Sequence, residues 1–120
     1  MKISDRQVFQ GRLGDINVDG QLDAVLSFSD GEIAWYEQPG WTEHKVARRN
    51  RAAPIEVAEL NGDLQLDIVA GGTIYVNDSW KPVDYTTGRP TLVTAVDIDD
   101  DGDQDLLTLI DNRLVLFRAE

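Results

Sequence analysis

DINVDGQLD, residues 15–23, decides how this chain is read, because the same acidic phrase returns as ELNGDLQLD at 59–67 and DIDDDGDQD at 97–105. In each, oxygen-bearing side chains stand at the first, third, fifth and ninth places, and two of the three have glycine at the sixth. A tight turn aims alternate side chains at one centre, and glycine reaches the positive φ that then reverses the chain. A hard cation such as Ca2+ asks for about 6–8 oxygen ligands at about 2.3–2.6 Å. The pattern predicts a calcium loop, written three times.

In the first loop the expected side-chain ligands are Asp15, Asn17, Asp19 and Asp23, with the backbone carbonyl of Gln21 as a fifth. In the third they are Asp97, Asp99, Asp101 and Asp105, with the carbonyl of Asp103. The middle loop departs twice, with Glu59 at the first place and Leu64 where glycine belongs; it keeps Asn61, Asp63, Gln65 and Asp67 and is the weaker metal site. One acidic loop alone reads as a solvated turn, since Asp, Asn and Gly populate turns for backbone reasons. Three, each followed at once by an apolar run, favour the ion. They are not EF-hands, which sit between helices and close with a glutamate at the twelfth place; here the twelfth places hold Leu26, Ala70 and Thr108.

A short, strand-like run comes directly behind each loop: LDAVLSF at 22–28, LDIVAG at 66–71 and DLLTLI at 105–110. Turn residues come next (Ser29-Asp30-Gly31, Gly71-Gly72, Asp111-Asn112), then EIAWYE at 32–37, TIYVN at 73–77 and RLVLF at 113–117. Apolar runs of this length around turn clusters read as hairpins. A strand also precedes each loop, at Val8–Leu13, Ile55–Leu60 and Leu92–Val96. Fourth strands are expected around Glu43–Ala47 and Val83–Thr86, and none comes after the third repeat. Helical periodicity is absent, so the fold class is all-β. Twelve residues before the three loops stand Ile3, Ala47 and Tyr85, which puts Met1–Ser4 where a fourth strand belongs.

The loops DINVDGQLD and DIDDDGDQD, the runs LDAVLS and LLTLI behind them, and IAWYEQPGW resemble the FG-GAP/VCBS repeats of calcium-binding β-propellers, the repeat that also builds integrin α heads. The resemblance covers nearly the whole chain, in three repeats whose loops begin 44 and 38 residues apart. It implies a β-propeller of four-stranded blades, three per chain: blade 1 over 5–50, blade 2 over 51–86, and blade 3 over 87–120 without its outer strand. Propellers avoid open sheet edges by closing, typically with about 4–8 blades. Three blades therefore imply self-association, with residues 1–4 of one subunit completing the last blade of the next. A head-to-tail homodimer supplies six blades; the rival expectation is a fragment of a longer propeller.

The formal charge of −11 disfavours nucleic acid and anionic membrane surfaces as partners, and three bound Ca2+ ions would offset six of those charges. There is no cysteine, hence no disulfide or thiolate chemistry. No leader-like start and no run of transmembrane length occurs in the chain. Extracellular calcium modules bind at about 10⁻⁴–10⁻³ M, so family and ion together imply an extracellular or cell-surface setting.

Catalytic candidates are thin. The single His44 lies in the alternating segment WTEHKVA and reads as a locally bonded strand residue, no phosphate-cradling glycine loop occurs, and calcium explains the paired carboxylates. Trp41 and Trp80, in loops beside Pro39-Gly40 and Asp78-Ser79, are candidate ligand-binding residues, since exposed aromatics stack on sugars or anchor proteins. Trp35 and its counterpart Phe117, each twelve residues past a last ligand, are expected to fill the space between blades. The function expected is a calcium-stabilised binding scaffold, lectin-like or protein-binding and not an enzyme. The alternative is the propeller part of a polysaccharide lyase or sugar dehydratase.

Overall fold

The computed structural model describes residues 6–60, 65–97 and 104–117, and among these every regular element is a strand. Three antiparallel sheets succeed one another along the chain. The first contains β1 (Val8–Gly14), β2 (Asp23–Phe28), β3 (Glu32–Glu37) and β4 (Thr42–Arg48), in that order across the sheet. The second contains β5 (Ile55–Ala58), β6 (Asp67–Ala70), β7 (Thr73–Val76) and β8 (Lys81–Asp84), again in order. The third has β9 (Pro90–Val96), β10 (Asp105–Ile110) and β11 (Arg113–Phe117). The all-β class and the succession of strand, acidic loop, strand, turn, strand agree with the sequence. Met1–Ser4, expected as an outer strand, lies outside the described residues.

Local chemistry explains the hairpins. Side chains alternate between the faces of a strand, so in DAVLSF and EIAWYE one set, Val25, Ser27, Ile33 and Trp35, lies on one face, and Ala24, Leu26, Ala34 and Tyr36 on the other. The register agrees: Val25 pairs with Trp35 and Ala24 with Tyr36. Gly31 sits in the intervening turn at φ +94°, where any Cβ would also run into the carbonyl of Arg49.

The sheets stack face to face in chain order. Val25, Ile33 and Trp35 of the first meet Ile55, Ile68, Ala70 and Tyr75 of the second in one core. On the opposite face of the second sheet, Val69 meets Val93 and Leu106 of the third, with Ile74, Tyr85 and Phe117 packed alongside. Burying such side chains contributes about 1.5–3 kcal/mol each. The strands that begin each sheet lie side by side, β1 next to β5 and β5 next to β9. Polar side chains link them: Ile55 N–H donates to Gln10 Oε1 at 3.0 Å and Ala95 N–H to Glu56 Oε2 at 3.0 Å.

Equivalent positions thus face the same way. Val25 and Val69 point toward the next sheet along, and Leu107 is their counterpart in the third. One expectation is corrected by this register. Trp35 and Phe117 both lie between sheets, but they are not counterparts: Val25 pairs with Trp35, whereas Leu107 pairs with Leu116 and Phe117 faces back with Leu106. The first hairpin turn has three residues and the third has two. One residue of difference moves the same count to the other face, because the side-chain period of a strand is two.

Candidate metal centre

The loop between β1 and β2 brings Asp15, Asp19 and Asp23 together, with one carboxylate oxygen from each lying within 4.8 Å of the others. Sequence spacing explains the convergence. Asp15 accepts the backbone N–H groups of Asp19 at 3.1 Å and Gly20 at 2.8 Å, and Asp19 Oδ1 accepts that of Gln21 at 2.9 Å, which winds the loop around its own carboxylates. Partial burial pushes the Asp15 carboxyl upward, but the N–H donors of Gly20 and Asp19 outweigh it and hold its pKa below the usual carboxylate value.

Asp23 is fully buried, its two oxygens accepting Ile16 N–H at 3.0 Å and Gln38 N–H at 3.2 Å. That second bond ties the loop to the far end of β3. Asn17 donates its amide to Glu37 Oε2 at 2.8 Å, and Gln21 is exposed at the loop rim. Two residues carry positive φ, Val18 at 58° and Gly20 at 88°. For glycine this costs nothing steric; for a β-branched residue it is strained. Nothing in the sequence pattern singles out Val18. Gly20→Ala is expected to cost about 1–2 kcal/mol, all of it conformational, since a Cβ there meets no atom within 4 Å. Gly31→Ala, which adds a clash with backbone, should lower the urea midpoint further.

The ninth-place aspartate recurs structurally. Asp67 and Asp105, like Asp23, open a strand and are buried, and Asp67 Oδ1 accepts Asn77 N–H at 2.9 Å as Asp23 accepts Gln38. A buried carboxylate needs such donors, so this aspartate serves the fold as well as the loop. Of the other predicted ligands, Glu59 donates its backbone N–H to Gln104 Oε1 at 3.0 Å, and Gln65 and Asp97 are half-buried. Asn61, Asp63, Asp99, Asp101 and Asp103 lie outside the described residues.

The two candidate ligand-binding tryptophans occupy matching places before β4 and β8, both at positive φ, 55° for Trp41 and 57° for Trp80. Trp41 packs against the Ala24, Phe28 and Tyr36 cluster on the outer face of the first sheet. Trp80 packs against the core between the first and second sheets and lines a cleft of about 580 Å³ with Asn17, Trp35, His44 and Asp78. His44 stacks on Trp35 with ring centroids 4.2 Å apart and bonds Glu37 at 2.8 Å, the local structural role expected of it.

The chain matched no protein-family model, no curated protein and no solved structure. Fold and site together define a class: an all-β chain of three stacked antiparallel sheets carrying an acidic loop whose carboxylates converge to the spacing of a cation site.

Proposed function

We propose that this chain is a calcium-stabilised β-propeller module of the FG-GAP/VCBS kind, acting as a binding scaffold for a saccharide or protein outside the cell, with its ring completed by a second copy. The observation that carries the reading is the convergence of Asp15, Asp19 and Asp23 in the connection between the first two strands of a four-stranded sheet. All-oxygen ligands in an irregular turn suit Ca2+ better than Mg2+, which demands near-octahedral geometry, or Zn2+, which favours nitrogen and sulfur. The ordered stacking of three sheets, each presenting its forward face to the next, supports a propeller.

The cleft lined by Trp80 supports the scaffold role. The Trp80 indole supplies apolar stacking area, and Asn17, Gln65 and Asn77 line the same cleft, with the Asn77 amide fixed by its bonds to the carbonyls of Ile16 and Leu66. It adjoins the metal loop through Asn17, so an ion that stiffens the loop also steadies one wall. A glycan array probed in calcium, with Trp80→Ala beside the parent, tests this reading. Binding that calcium supports and Trp80→Ala weakens is expected. Steady turnover of an acidic polysaccharide in a parallel lyase assay would replace the scaffold with an enzyme.

A further inference from the structure

At the end of the sheets opposite the metal loop, the connection from β4 to β5 and the outer strands of the second sheet enclose a cleft of about 490 Å³. Four of the chain's eleven cations line it, Arg48, Arg49, Arg51 and Arg89, in a molecule whose net charge is −11. Like charges gathered at one place repel unless something offsets them. Arg48 is offset, lying 3.6 Å from Asp30 and 3.5 Å from Glu32. The other three are different: no described carboxylate lies within 4.0 Å of Arg49, Arg51 or Arg89.

Arg49 is also held in place. Its Nη1 donates to Thr73 Oγ1 at 2.9 Å and to Tyr75 Oη at 3.2 Å, and both of those residues are buried. Among the described residues, Asp84 is the one acidic residue lining the cleft, and it accepts the Thr73 hydroxyl at 2.7 Å. The guanidinium is thus oriented by neutral oxygens on β7, and among the described residues its remaining N–H groups meet no other acceptor. Arginine's planar fork matches carboxylate, sulfate and phosphate oxygens. Arg51 and Arg89 stand at matching places in the connections into β5 and β9, so they reach the cleft from two sides.

We propose that this cleft is a binding site for an oxyanion, a sulfate, phosphate or sugar carboxylate, anchored by Arg49 and enclosed by Arg51 and Arg89. The site needs neither the metal loop nor assembly of the chain, so it stands or falls separately from them.

The test is calorimetric titration at fixed ionic strength with inorganic sulfate, inorganic phosphate and glucuronate, and with glucose as the neutral control. Saturable binding of all three ions marks a site for the oxyanion itself, and binding of glucuronate alone marks a site for an acidic sugar; either supports the assignment. Arg49→Gln should weaken binding by at least about tenfold. Should Arg49→Gln fail to fold, the exposed pair Arg51→Gln with Arg89→Gln carries the same expectation. Arg12→Gln, on β1 and paired with Glu56 away from the cleft, should leave binding unchanged. Absence of saturable binding by every ion, or equal weakening by Arg12→Gln, would overturn the site.

Discussion

Excess chelator is expected to lower the melting temperature on the order of 10 °C, and added Ca2+ to restore it. A ligand that binds only the folded chain stabilises by mass action, about 2.7 kcal/mol at a free concentration a hundred times Kd. For a domain near this size each kcal/mol is worth roughly 4 °C. The unfolded chain has no comparable site, because the convergence of Asp15, Asp19 and Asp23 depends on loop bonds to the N–H groups of Asp19, Gly20 and Ile16. Asp19→Ala should remove about one ion from a calorimetric titration and leave the sheets intact, because Asp19 is exposed and its Oδ1 accepts a loop N–H, that of Gln21. Asp101→Ala should remove another, and Asp63→Ala should change little. Asp23→Ala should cost more than Asp19→Ala even without metal, since it strands the buried N–H groups of Ile16 and Gln38. A melting curve that is identical with and without chelator rules out the ion.

Much of this was legible because strands and turns are local. The alternation in DAVLSF and EIAWYE, the turn residues between them and the loop spacing are written within single segments, and the strand positions match them closely. The sequence could not show what depends on parity across a turn. Counting twelve residues from Asp23 and Asp105 made Trp35 and Phe117 equivalent, whereas a two-residue turn in place of three put them on opposite faces. Nor could spacing reveal that Asp23 and Asp67 cap the far ends of their hairpins through Gln38 and Asn77, a bond made only once β3 and β7 have returned. The arginine cleft was invisible for the same reason. Arg49 and Arg89 are forty residues apart in the chain and meet only because the sheets stack.

In solution with calcium, light scattering is expected to give about twice 13.4 kDa. The third sheet turns one face to the second and leaves the other to solvent. That face carries Leu92, Leu107, Leu109, Leu114 and Leu116, paired across β9, β10 and β11. Leu114 is 64% exposed and Leu92 44%. Its counterparts in the first and second sheets are the faces that cover the next sheet along. At the other end, the apolar cluster on the outer face of the first sheet, Ala24, Phe28, Ala34 and Tyr36, is already buried within the chain, with Arg6 3.8 Å over the ring of Phe28, while Val8 and Leu13 on the same face are 41% and 63% exposed. In the proposed ring, the third sheet's free face would continue the stacking onto the first sheet of a second copy. That contact would be heterologous, and two copies joined head to tail would make a ring of six sheets with two identical interfaces. Leu114→Asp should reduce the mass to that of a monomer, because each interface loses about 1.5–3 kcal/mol of burial and gains an unpaired charge. Leu13→Asp should do the same from the opposite side. Mixed in equal amounts, the two variants keep one intact interface of the two, so pairs of unlike copies should reappear. A two-fold contact between third sheets would instead be untouched by Leu13→Asp, and a parent protein that stays soluble and monomeric at micromolar concentration would exclude the ring.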